Sequence, residues 1–217
     1  MGTRGSVGVI TKSGEYKSSY NHFDSYPSGL GQEMVSLIMR INKEKKWDVF
    51  SKKMEEIKFV DDDQEPTEEE RNIYSKYHQN VSSGTDWYSL LRDLQGTGLF
   101  EEILNGEDIQ HMINSNGFIE DSLFCEYAYI INLKDGTFEV YEGFQHEPQK
   151  GNRFGEKADE RASGNYYPCA LREVINFEDV SEEWMNSIDE RMSDETYQWG
   201  NPWMKEIRND KFEELGV

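Results

Sequence analysis

Phe124-Cys125-Glu126-Tyr127-Ala128-Tyr129-Ile130-Ile131-Asn132-Leu133 carries the strongest strand signal in the chain. Aromatic and β-branched residues dominate it. Lys134-Asp135-Gly136 follows as a turn, and residues 137–143 return with Phe138, Val140 and Tyr141. This reads as a β-hairpin. A second hairpin opens the chain. Ser6-Val7-Gly8-Val9-Ile10-Thr11 is a short apolar strand, Lys12-Ser13-Gly14-Glu15 a turn, and residues 16–23 alternate as the returning strand. The first strand has an apolar face and few edge-protecting charges, so a central place in the sheet is expected. Residues 170–177 supply one more strand.

Between and after the hairpins the period changes to helical. Met34, Val35, Leu37, Ile38, Met39 and Ile41 mark a largely buried helix over 32–42, and Trp47 to Ile57 a second. Thr67 with Glu70 is a capping box for a helix running to Tyr77. Short helices are expected over 86–94 and 99–104, interrupted by Gly96-Thr97-Gly98, and another over 106–113. Ser181 caps a helix over 181–192, and Asn201-Pro202-Trp203 starts a last helical segment. Phe59 and Val60 either end the second helix or pair at a sheet edge. The expected fold is α+β: an antiparallel sheet built from two hairpins and packed by inserted helices. One domain spans 1–217, with flexible connections at 61–66 and 145–165.

The chain is acidic. Lys and Arg number 23 against 43 Asp and Glu, a net charge of −20. The first sixty residues nevertheless hold ten basic and seven acidic side chains. The acids elsewhere come in bursts, such as Glu68-Glu69-Glu70 and Glu182-Glu183, several of them at helix starts where the dipole favours them. A surface this acidic repels nucleic-acid phosphate and anionic lipid, so neither direct nucleic-acid binding nor a membrane is expected. No apolar run reaches the ~20 residues that span a bilayer, and no signal peptide opens the chain. A cytoplasmic protein is expected. Met1-Gly2-Thr3-Arg4-Gly5-Ser6 fits the myristoylation pattern, but one acyl chain without a polybasic patch anchors weakly. Cys125 and Cys169 fit no zinc spacing and read as packed thiols. His78, His111 and His146 lack partner histidines at metal-binding spacing, so no metal and no cofactor is expected.

Chemistry-bearing side chains are densest near the start. Thr3, Arg4, Asn21, His22, Asp24 and Tyr26 fall at one open end of the first hairpin, beside the loop Pro27-Ser28-Gly29-Leu30-Gly31. A guanidinium fork, loop N–H groups and a following helix are the parts of an anion site. The bland alternative is that Asn21, His22 and Asp24 satisfy loop backbone groups. The C-terminal aromatics Trp184, Tyr197, Trp199 and Trp203 pack in the core or form a partner-binding patch.

Met1-Gly2-Thr3-Arg4-Gly5 with Tyr20-Asn21-His22-Phe23-Asp24-Ser25-Tyr26-Pro27-Ser28-Gly29-Leu30-Gly31 resembles the signature of a family met in bacteria, their phages and some fungi. Glu126 to Leu133 and Phe138 to Gly143 are similar to that family's second hairpin. The resemblance covers about a quarter of the chain and brings no reaction with it. The opening is more distantly similar to N-terminal nucleophile hydrolases, although removal of Met1 would expose Gly2 rather than Thr3. The favoured reading is a phage-type accessory binding protein that antagonises a host defence factor, capturing either a host protein or a small anionic ligand such as a nucleotide. A homo-oligomer is compatible with it. Two alternatives stand beside it: a hydrolase using Thr3, His22 and Asp24, and an acidic nucleic-acid mimic.

Overall fold

The computed structural model describes residues 2–61, 64–78, 86–158 and 166–193. The fold is α+β. β1 (Gly5–Ile10) and β2 (Tyr16–Asn21) form the first hairpin, and β5 (Tyr127–Asn132) and β6 (Thr137–Glu142) the second. With β7 (Ala170–Asn176) they make one sheet in the order β2-β1-β5-β6-β7.

The expectation of a purely antiparallel sheet is corrected by one pairing. β1 lies parallel to β5, with Gly5 opposite Tyr127 and Ile10 opposite Asn132, while β1–β2, β5–β6 and β6–β7 are antiparallel. Two hairpins joined edge to edge need not continue the alternation, because the long intervening segment can return the chain to either end of the sheet. β5 is therefore the central strand. Its Tyr129 and Ile131 face one core and its Ala128 and Ile130 the other. Burial on both faces is the reason its sequence is apolar almost without interruption.

The larger core lies between the sheet and the helices. α1 (Gln32–Glu44) buries Met34, Val35, Leu37, Ile38 and Ile41, and stops at Lys45, whose positive φ closes the last turn. α2 (Trp47–Glu56) adds Phe50 and Met54. α6 (Glu182–Ser193) contributes Met185 and Ile188, and its Ser181 hydroxyl accepts the Trp184 N–H at 3.2 Å. α3 (Glu68–Tyr74) carries the capping box read from Thr67 and Glu70. α4 (Trp87–Leu90) and α5 (Gly98–Asn105) complete this layer.

The helix expected over 106–113 does not form: residues 106–110 are irregular and 111–113 form β4 (His111–Ile113). It pairs in parallel with β3 (Lys58–Val60) in a separate two-stranded sheet. A three-residue strand is too short to show a period.

The opposite face of the main sheet is covered by the short 3-10 helix Asn116–Glu120, whose Ile119 enters this smaller core, and by an irregular segment. Residues 145–158 run over it: Gln149 exchanges two hydrogen bonds with Leu171, Asn152 donates to the Cys169 carbonyl, and Phe154 sits on Tyr16 and Tyr141. The helical segment expected from Asn201, and Tyr197, Trp199 and Trp203, lie outside the described residues.

Candidate functional site

β1 and β2 place Arg4 and His22 one step beyond their last paired residues, Gly5 and Asn21. The backbone of Arg4 is fixed from the β5 side: Glu126 N–H donates to the Arg4 carbonyl at 2.9 Å, and Arg4 N–H donates to Glu126 Oε1 at 3.2 Å. That leaves the side chain free to lie over the Phe124 ring, 5.5 Å from its centroid. His22 meets Phe23 edge-on at 4.2 Å, and its Nδ1 stands 2.6 Å from the Tyr20 hydroxyl.

A second guanidinium arrives from a distant segment. Gly96 donates its N–H to the Tyr20 carbonyl at 2.9 Å, capping the outer edge of β2. It does so with φ +58, and a Cβ at this position would come within 2.7 Å of Asn21 Oδ1. Only glycine meets both demands. This contact holds the turn Arg92–Leu94 against the hairpin end. Arg92 donates to Gln95 Oε1 and lies over Tyr88, 5.4 Å from the ring centroid.

The pairing of the arginines separates two of them from the rest. Arg40, Arg71, Arg153, Arg172 and Arg191 each have a carboxylate partner. Among the described residues Arg4 and Arg92 have none; aromatic faces hold them instead. Both lie close enough to His22 to affect it. Burial first, then Arg92 and Arg4, hold its imidazole below the ordinary histidine range. Burial raises the Tyr20 phenol, and the same two arginines partly offset that. A protonated phenol is a better donor than acceptor, so the pair favours the tautomer in which the O–H donates to Nδ1 and the ring proton sits on Nε2.

Beside these groups is a cleft of about 470 Å³ walled by Tyr20, Tyr88, Gln95, Asn114, Ser115 and Phe118. Phe118 meets Tyr20 edge-on at 5.0 Å. Tyr20 joins the cleft to His22, and Tyr88 joins it to Arg92.

The other residues expected at this end do different things. Thr3 accepts the Ser25 N–H on its carbonyl at 3.2 Å, and its hydroxyl makes no hydrogen bond to His22. Asn21 donates to the Phe23 carbonyl and to Ser25 Oγ. Asp24, at φ +53, accepts the Leu30 N–H on its carbonyl at 2.9 Å. Tyr26 lies by Asp24, whose charge raises its phenol, with Asp189 of α6 adding to the effect. Tyr26 thus lies towards Asp24 and Asp189, while His22 lies towards Arg92 and Arg4. Arg92, Tyr88 and Gln95 were not legible as site residues. The one local signal is that Tyr88 and Arg92 stand four apart in a helical segment, the spacing of a stacked pair.

Among the described residues no group of three or more His, Cys, Asp or Glu could hold a metal, and no helix is long and apolar enough to cross a membrane. Cys125 and Cys169 are free, buried thiols, with Cys169 Sγ 3.2 Å from the Cys125 carbonyl. Burial pushes the Cys125 thiol well up, and Cys169 adds to that. No protein-family model matches the chain, no curated protein matches its sequence, and no solved structure matches its fold.

Proposed function

We propose that this protein captures a small phosphorylated ligand at the Arg4–His22–Arg92 end of the first hairpin, acting as a phage-type accessory protein that removes such a ligand from a host factor. One observation carries the reading. In a chain of net charge −20, the two described arginines without a carboxylate partner both lie near enough to the same imidazole to lower its proton affinity. Cation–π contact with Phe124 and Tyr88 steadies each guanidinium while leaving N–H donors for a phosphate. His22 Nε2–H is a further donor. The phage setting rests on the resemblance of the opening motifs alone.

Isothermal titration with inorganic pyrophosphate tests the anion site. The native protein binds it, and Arg4→Ala and Arg92→Ala each weaken binding about tenfold or more with an unchanged far-UV spectrum, as expected for loss of a charge-assisted donor. No heat of binding, or an affinity indifferent to both substitutions, overturns the reading. Release of inorganic phosphate that ceases in His22→Ala would make the site hydrolytic instead.

A further inference from the structure

We infer that the ligand is a nucleoside monophosphate, with its base in the cleft walled by Tyr20, Tyr88 and Phe118 and its phosphate on Arg4 and Arg92. The inference deepens the anion-binding reading above and rests on it.

Three observations support it. The cleft, at about 470 Å³, is of the size that takes an organic ligand, and a bare phosphate at its rim would leave it unfilled. Three aromatic rings, Tyr20, Tyr88 and Phe118, line it, with Ile113 and Asp121 beside them. Tyr20 and Phe118 meet at 80°, forming a corner, and Tyr88 is 39% exposed, so ring surface is available to a planar partner. Finally, three polar groups of the lining residues are uncommitted. Gln95, Asn114 and Ser115 line the cleft, and Gln95 Nε2, Asn114 Nδ2 and Ser115 Oγ have no hydrogen-bond partner among the described residues. Such groups match the edge of a base, whose ring nitrogens and carbonyls need donors.

The anion end and the aromatic walls form one continuous site. The Tyr20 hydroxyl is bonded to His22 while its ring forms a wall, and Arg92 lies on the Tyr88 wall. A polynucleotide would carry its further phosphates over an acidic surface, so a single nucleotide suits the chain better.

The test compares pyrophosphate, ribose 5-phosphate and the four common nucleoside 5′-monophosphates by isothermal titration. It uses the native protein and Gly117→Leu. Gly117 lines the cleft, an added Cβ there meets nothing within 4 Å, and its backbone is not left-handed, so leucine adds bulk at the cleft without strain. At least one nucleotide should bind tenfold or more tightly than ribose 5-phosphate. Gly117→Leu should abolish that advantage while leaving the affinities for pyrophosphate and ribose 5-phosphate unchanged. Ribose 5-phosphate binding as tightly as every nucleotide, or nucleotide affinity unchanged in Gly117→Leu, overturns the base site and leaves the anion site standing. Absence of binding by every probe overturns both.

Discussion

The Tyr20 hydroxyl stands 2.6 Å from Nδ1 of His22, two residues along the same strand, so one hydrogen bond joins the wall of the cleft to the cationic end of the hairpin. Burial, Arg92 and Arg4 together keep that imidazole neutral more readily than a free histidine, whose ordinary value is 6.5. Folding therefore lowers its proton affinity. The stability this brings is present above about 6.5 and is lost as pH falls through the folded midpoint. An NMR titration of the imidazole should give a midpoint below 6.5. Arg92→Gln and Arg4→Gln should each raise it, Arg92→Gln by more. Bound phosphate should raise it as well, because a dianion favours imidazolium. A midpoint at or above 6.5 in the free native protein would contradict the arrangement.

Gly96 ties the site to the fold. Alanine at this position must adopt the left-handed conformation and bring its Cβ to within 2.7 Å of Asn21 Oδ1. Gly96→Ala should cost about 1–3 kcal/mol in urea unfolding. Because the same contact places Arg92, pyrophosphate affinity should fall as well. Gly14, at φ +93 with open space around it, is the control: Gly14→Ala carries the backbone penalty without the effect on binding.

What the sequence made legible follows the range of the interactions. Both hairpins were readable because a turn and two alternating strands lie within a short stretch. The parallel pairing of β1 with β5 was not, because no local residue encodes which edges of two hairpins meet. β4 is not legible as a strand because His111-Met112-Ile113 offers three residues and no period. At the site, Arg4 and His22 were legible as neighbours across a hairpin end. Arg92 was not, since its place depends on a Gly96-to-Tyr20 backbone contact between distant segments. Asp24 and Tyr26 adjoin His22 in sequence, but the left-handed turn at Asp24 directs that part of the loop towards α6.

Tyr74 supports the small sheet through its hydroxyl. It accepts N–H bonds from Gln110 at 2.9 Å and His111 at 3.1 Å, and it stands 3.1 Å from His111 Nδ1. With two donors aimed at its oxygen, its own proton goes to Nδ1, so His111 is neutral there. Burial, opposed by Glu70, lowers the His111 proton affinity accordingly. Tyr74→Phe leaves both backbone donors without that acceptor and should cost about 1–3 kcal/mol. Amide exchange at residues 110 and 111 should accelerate most.

Glu139 is a buried carboxylate on the face covered by residues 145–158. It accepts from Asn132 Nδ2 at 2.9 Å, from the Tyr141 hydroxyl at 2.8 Å, and from Arg153 at 3.0 Å. Arg153 is itself a third exposed, so water replaces part of what its removal takes away. Arg153→Met should therefore cost about 2 kcal/mol, less than the full penalty for stranding a buried charge. Tyr141→Phe removes a donor from the other carboxylate oxygen and should cost about 1–2 kcal/mol. The two losses should not add. With either donor gone, the remaining one carries more of the compensation for the same buried charge, so the double variant should lose at least about 0.5 kcal/mol more than the sum of the singles. Additivity within error in a urea double-mutant cycle would show that the two donors act on Glu139 independently.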